Sequence, residues 1–383
     1  MPRFLHTADW QIGRQYSQFP QDDGALLAEA RLEAVATLAR LATEHAVDAV
    51  LVAGDVFDAQ AVSERTIRRL FAQLAGYAGP WLMIPGNHDA ALAESVWTCA
   101  RRIGAVPPNV HLALEPGVLD FSAQGFVALA APLTQRHTYA DLTEWFDGAQ
   151  TPPGLLRIGL AHGCVQGLLA ESIDSANPIG ADRARRARLD YLALGDWHGC
   201  RQVDERTWYS GTPEADRFRD NDPGFALRVD IEAPGALPVV ARLATGRYRW
   251  RALAATLAVA SDVDQLAGQL GAAQPADVLS LQLAGQVDLQ SLARLRAAIG
   301  RAEAAVRHLQ ADLSSLQLMP TAEDIAALDA DGYLGDVIAE LRDAQSQGVQ
   351  PDGTRPEAAC VAAEALNLLA TLLLEGREQA AAP

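Results

Sequence analysis

Five short clusters hold aspartate, asparagine, glutamine and histidine beside glycine or tryptophan. They are Asp9-Trp10-Gln11, Gly54-Asp55-Val56-Phe57-Asp58, Gly86-Asn87-His88-Asp89, His162-Gly163 and Gly195-Asp196-Trp197-His198. These side chains are ligands for Mn, Fe, Zn or Mg. An aspartate between two cations bridges them and relieves their repulsion. Two ions about 3.5–4 Å apart can clamp the attacking and leaving oxygens of phosphoryl transfer and make water acidic enough to attack near neutral pH. Each cluster alone has a plainer reading. Gly54-Asp55 is also a strand-to-turn cap, Asn87 an Asx turn, and His88, His162 or His198 a hydrogen-bonded structural histidine. The ordered set is what points to a metal centre. Gln11 is the odd member, because Asp-x-His would be the more ordinary opening of a metal site.

Chain elements must bring these clusters together. Leu27, Ala30, Ala34, Leu38 and Leu41 recur at helical spacing within Asp23–His45. Ala49–Ala53 reads as an apolar strand, Glu64–Leu74 as a helix and Trp81–Ile84 as another strand. Phe126–Leu129, Leu155–Leu160 and Tyr191–Leu194 continue the series, and Phe225–Ile231 reads as an alternating edge-type strand. Each polar cluster follows an apolar segment. In an α/β core with strands buried on both faces, the carboxyl ends of strands gather ligands. A catalytic domain is expected over 1–245. Beyond it, residues 250–340 read as a small mixed domain. There Leu279, Leu281 and Leu283 mark a strand, and Val306, Leu309, Leu313 and Leu316 a helix face. Residues 348–356 read as a linker, and 355–376 as a C-terminal helix whose apolar face is either buried or a docking surface for a partner.

The chain has 383 residues, of which 49% are apolar, enough for a large core and more than one domain. A formal charge of -17 argues against simple electrostatic wrapping of nucleic acid, though not against nucleic acid at a metal site. Cys99, Cys164, Cys200 and Cys360 form no CxxC pair, which suits a reducing cytoplasm. No signal peptide and no run of 18 apolar residues is expected. Arg183, Arg185, Arg186 and Arg188, then Arg201, Arg206, Arg217 and Arg219, offer a local phosphate-binding track or ordinary surface ion pairs. Arg183 and Arg186 are the named candidates. Trp10 and Trp197 adjoin the metal clusters and either stack on bases or pack in the core.

The motifs HTADWQIGR, LVAGDVFD, IPGNHD, AHG and GDWHG resemble those of the calcineurin-like metallophosphoesterase superfamily. Within it they look most like the nuclease component of the bacterial SbcCD complex and its archaeal and eukaryotic homologues. The resemblance covers roughly residues 1–245. It implies a four-layer α/β/β/α core with a small C-terminal α+β capping domain. It also implies two divalent ions, with manganese foremost and Fe, Mg or Zn as other choices. Asp9, Gln11, Asp55 and His198 match the first site, and Asp55, Asn87, His162 and Asp196 the second. His88 matches the histidine beside the metals. Two positions depart from the family: Gln11 stands for a histidine, and so does Asp196.

The implied chemistry is hydrolysis of a phosphodiester. His88 would donate toward the leaving oxygen, and Asp58 would orient His88 or a water. The resemblance further implies a DNA exonuclease or endonuclease acting in repair, an SbcC-type SMC-like ATPase partner and a homodimer, with no membrane. A small-molecule or nucleotide phosphodiesterase of the same superfamily is one alternative. A catalytically weakened scaffold is another.

Overall fold

Ala49–Ala53, with sequence AVLVA, is buried at every position, as a strand covered on both faces must be. It is β2, at the centre of the first of two six-stranded sheets in a computed structural model. The structure describes residues 2–167, 176–219, 221–319, 321, 333–345 and, between 357 and 372, residues 357–359, 361–362, 364–366, 368–369 and 372. The chain divides into two compact units, Met1–Arg249 and Trp250–Pro383.

In the first unit one sheet runs in the order β14 (Val239–Ala244), β13 (Phe225–Asp230), β1 (Arg3–Thr7), β2, β3 (Trp81–Ile84) and β4 (Val110–Leu112). The second runs β11 (Arg201–Gln202), β12 (Thr207–Tyr209), β10 (Tyr191–Gly195), β7 (Leu156–His162), β6 (Phe126–Ala131) and β5 (Gly117–Phe121). A two-stranded ribbon pairs β8 (Cys164–Val165) with β9 (Pro178–Ile179). Alternation along the strands builds the layers. Phe4, Leu51, Leu82 and Val229 face Ala128, Ile158, Leu160 and Ala193 of the other sheet. The opposite face of the first sheet, with Leu5, Val50, Val52 and Met83, packs on α1 (Gln21–Glu44), α2 (Glu64–Gln73) and α3 (Val96–Arg102). The outer face of the second sheet, with Val127, Leu129, Leu192 and Leu194, packs on Phe146 and on Ala184 of α4 (Arg183–Arg186). The result is the four-layer α/β/β/α core. Caps fix the shorter helices: Ser63 accepts from the Thr66 N–H, and Ser95 forms a capping box with Thr98.

The second unit is α/β. β15 (Arg249–Leu257), β16 (Asp277–Val287) and β17 (His308–Leu318) lie in that order, with α5 (Ala260–Gly271) and α6 (Leu289–Ala305). Leu279, Leu281 and Leu283 of β16 share a core with Leu266, Leu270 and Leu295 of the helices.

Two expectations are corrected here. Leu309, Leu313 and Leu316 lie on a strand, not a helix. β17 pairs in parallel with β16, and Gln282↔Asp312 is followed by Ala284↔Ser315. That extra residue in β17 is a bulge, and it turns a period-2 pattern into a spacing that imitates a helix. Phe225–Asp230 is no edge, because it pairs with β1 on one side and β14 on the other. The proposed linker over 348–356 lies outside the described residues. Of the expected C-terminal helix, the described residues between 357 and 372 are helical. Among the described residues no helix is long and apolar enough to cross a membrane.

Candidate metal centre

β1, β2 and β3 run parallel, and so do β7, β10 and β12. Their carboxyl ends therefore deliver the loops after Thr7, Ala53, Ile84, His162 and Gly195 to one edge of the core. Main-chain bonds lock the first two loops together: Asp9 N–H donates to Gly54 O at 3.0 Å and Gln11 N–H to Asp55 O at 2.9 Å. Asp9, Gln11, Asp55 and Asp196 all have positive φ, at 55°, 45°, 52° and 102°. For residues other than glycine this is strain of about 1–3 kcal/mol each, which persists where surrounding structure over-determines it.

Three further residues hold these loops. Arg31 sits on the buried face of α1 and donates to the carbonyls of Asp9, Trp10 and Glu214 and to Thr212 Oγ1. Asp89 accepts from Gly86 N–H at 2.6 Å and Phe57 N–H at 3.1 Å, tying the loops after β2 and β3; burial is the main force that pushes its pKa up to about 7. Beneath the site, the buried His6 accepts from the Tyr191 hydroxyl through Nδ1 and donates to Leu194 O through Nε2. Burial takes it down to about 3, so it joins the two sheets as a neutral ring. An arginine at helical spacing from Leu27, Ala34 and Leu38 was the one sequence signal for this support.

His162 shows what the centre can hold. Its Nδ1 lies 2.8 Å from Ala53 O, a group that only accepts, so Nδ1 carries the proton. Nε2 then offers a lone pair. Asn87 Oδ1 lies 3.2 Å from it, Asp55 Oδ1 3.6 Å and Asp196 Oδ1 3.8 Å. Acceptors that converge in this way repel unless a cation or a proton sits among them. Burial alone would lower the His162 pKa, but Asp55, Asp9 and Asp196 hold it up at about 9. Burial likewise raises Asp9 to about 6, against the pull of His198 and His162. A divalent ion answers the same lone pairs, and the residues fit it. Asp9, Asp55 and His162 each bring a ligand atom to within 4.8 Å of the others. Glycine is required around them. A Cβ on Gly86 would lie 2.2 Å from Asp55 Oδ1, and one on Gly54 would lie 2.3 Å from His162 Nδ1.

A neighbouring corner has different chemistry. Gln11 Oε1 accepts from Arg14 Nη1 at 2.8 Å, and its amide nitrogen lies 3.2 Å from His198 Nε2. His198 Nδ1 lies 3.2 Å from Asp216 Oδ2. Arg14 and Arg217 reach the same Asp216 carboxylate at 3.1 and 3.0 Å. Both corners open on one cleft of about 210 Å³, whose walls include His88, Trp197 and Arg219.

The other sequence candidates divide. His88 reaches the cleft, with its N–H donating to Asp55 Oδ1 at 2.9 Å. Its Nδ1 donates to the Asp58 main-chain carbonyl at 2.8 Å, so the Asp58 backbone orients the ring, while the Asp58 carboxylate lies 3.8 Å from Arg14. Trp197 lines the cleft, and Arg201 stacks on its ring. Trp10 is buried, donates to Thr7 Oγ1 and packs edge-on to Trp81, so it presents no face to a base. Arg183 is buried between Asp141 and Asp147, each 2.7 Å away, and Arg186 also pairs with Asp147. They are not among the residues lining the cleft. The cleft's arginines are instead Arg14, Arg217 and Arg219. Arg14 and Asp89 close two of the quoted motifs without having been given a role there, and Asp216 lies outside them.

Residues 2–164 match the family model described as calcineurin-like phosphoesterase. Over 260 residues the chain is 45% identical to the SbcD component of the SbcCD nuclease of Rhodobacter capsulatus, covering 55% of this chain and 62% of that protein. It is 26% identical over 247 residues to the uncharacterized metallophosphoesterase YhaO of Bacillus subtilis, covering 58% of this chain and 56% of that protein. With the SbcD component of the SbcCD nuclease of Bacillus subtilis it shares 25% identity over 339 residues, covering 77% of this chain and 83% of that protein. The chain thus spans about three fifths of the length of the first two relatives. The family-model match takes in the loops after β1, β2, β3 and β7, and the chain is similar there to calcineurin-like phosphoesterases and more widely to SbcCD-type nucleases.

Proposed function

We propose that this protein is a metal-dependent phosphodiester hydrolase and, within that class, a DNA exonuclease or endonuclease of the SbcD type. The observation that carries the hydrolase reading is the set of converging acceptors around His162 Nε2, opening on a cleft that also holds His88 and three arginines. Asp9, Asp55 and His162 would hold the cation, with Asn87 and Asp196 beside it. A bound divalent ion supplies Lewis-acid polarisation of a phosphoryl oxygen and makes water acidic enough to attack near neutral pH. The resemblance assigns manganese and implies two ions; the corner at Gln11 and His198 has the weaker donors.

The chain's own residues do the rest. Arg217 and Arg219 line the cleft and attract a phosphodiester into it. The Asp58 carbonyl fixes the His88 ring, which leaves Nε2 for the substrate. When the ring is doubly protonated, Nε2 donates a hydrogen bond or a proton toward the departing oxygen. Likeness to the SbcD components of SbcCD nucleases supports DNA as substrate and an SbcC-type ATPase as partner. DNA repair, a homodimer and a cytoplasmic location belong to the same reading.

The test is hydrolysis of bis-p-nitrophenyl phosphate with Mn²⁺, then a panel of single-stranded DNA, duplex ends and cyclic nucleotides. Activity that disappears in Asp55→Ala, with cleavage of a nucleoside phosphodiester that also falls in His88→Ala, supports the hydrolase. Unchanged activity in Asp55→Ala overturns it. Turnover of cyclic nucleotides with no cleavage of DNA would replace the nuclease assignment by a small-molecule phosphodiesterase.

A further inference from the structure

Around His162 every converging group is an acceptor, whereas at the Gln11 corner the guanidiniums of Arg14 and Arg217 already surround the Asp216 carboxylate. The Gln11 amide oxygen is already engaged by Arg14 at 2.8 Å. Its N–H group faces His198 Nε2 at 3.2 Å. His198 Nδ1 lies between the Asp216 carboxylate at 3.2 Å and the Arg217 guanidinium at 2.9 Å. Gln11 therefore covers Nε2 while Asp216 and Arg217 engage Nδ1, so neither ring nitrogen is left open to a cation. A second ion entering here must break the Gln11–Arg14 bond, displace the Gln11 N–H and approach two guanidiniums. Like charges at short range in a partly buried site repel strongly. Among the described residues, the acidic and histidine ligand atoms that cluster are those of Asp9, Asp55 and His162, and His198 stands apart from them.

We propose that this centre holds one divalent ion, at Asp9, Asp55 and His162, and that Arg14, fixed by Gln11 and Asp216, supplies the positive charge that a second ion would bring. The ion count stands on the donor chemistry alone, and the role given to Arg14 rests on the hydrolase reading above. Arg14 is built for it. Its side chain is 23% exposed, lines the cleft and is held at 3.1 Å from Asp216, so its charge is in place before any substrate arrives. The replacement of histidine by glutamine at position 11 is then functional, because an amide can bond a guanidinium with its oxygen and a histidine with its nitrogen at once.

The experiment is a Mn²⁺ titration of the metal-stripped full chain, read by equilibrium dialysis and electron paramagnetic resonance. The expected result is one ion per chain with the six-line spectrum of an isolated Mn²⁺. The double variant Gln11→His/Arg14→Ala is expected to bind two ions and to show the broadened spectrum of a coupled pair. Arg14→Ala alone is expected to lose about 100-fold in kcat/KM, with partial rescue by Arg14→Lys. Two ions per wild-type chain with dissociation constants within about tenfold would overturn the proposal. So would a double variant that melts like the wild type and still binds one ion. If the double variant does not fold, the wild-type count alone decides. Absence of hydrolysis with every divalent ion, at a count of one, would remove the hydrolase reading and the role of Arg14 but leave the one-ion site. Full hydrolysis with two ions would do the reverse.

Discussion

His88 enters the cleft with one ring nitrogen committed to the Asp58 carbonyl and the other open. A group placed in this way matters most when the leaving oxygen is basic. His88→Ala should therefore lower kcat about 10²–10⁴-fold on an alkyl or nucleoside phosphodiester, and much less on a p-nitrophenyl ester, whose leaving group needs no proton. Equal losses on both would show that the ring acts on binding instead. Gly86 makes a second prediction. Its missing side chain leaves room for the Asp55 carboxylate, which a Cβ would meet at 2.2 Å. Gly86→Ala should cost about 1–3 kcal/mol in urea unfolding and weaken Mn²⁺ binding together, because one displaced carboxylate serves both. The types Asp, Asn and His at 9, 55, 87, 88 and 162 were legible in the sequence because each ends an apolar strand. The partner Asp216 was not, since nothing local distinguishes it from a surface acid.

α4 illustrates the element scale. Its arginines read as a basic run, and three acidic residues far away in sequence or across the helix change their meaning. Arg183 is enclosed by Asp141 and Asp147. Removing one partner of a buried pair leaves the others uncompensated. Arg183→Ala should cost about 3–5 kcal/mol in unfolding free energy and leave DNA affinity of the folded protein unchanged by fluorescence anisotropy. The Asp141 carboxyl adds a pH dependence. Burial works against its charge, yet hydrogen bonds from Thr143, Arg183 and Gly180 hold it below the usual carboxylate range. A depressed folded pKa stabilises above the unfolded value of about 3.9 and is lost as pH falls through the folded value. The destabilisation by Asp141→Asn should thus hold steady near neutral pH and shrink below about pH 4, and a constant difference would refute the assignment. β17 carries the same lesson, because one bulge was enough to make a strand look helical.

For the whole molecule, two compact units each have their own apolar core, and the metal centre lies within the first. A cation bound by the folded state alone must stabilise it. At 100 times its dissociation constant, Mn²⁺ should add about 2.7 kcal/mol, or roughly 5–10 °C in Tm for a unit of this size. EDTA should reverse the shift and Asp55→Asn abolish it. No shift would count against metal binding. The net charge of -17 belongs to this scale too, since it concerns the surface as a whole while the cleft keeps Arg14, Arg217 and Arg219. By itself the sequence determined the α/β layering and most of the ligand types, because burial on both strand faces and polar strand ends leave local patterns. Only the tertiary structure decided which arginines meet the cleft, that Trp10 is core, and that Gln11 faces Arg14 and His198. Those outcomes depend on which distant groups neutralise a charge or accept a hydrogen bond, and no spacing along the chain records that.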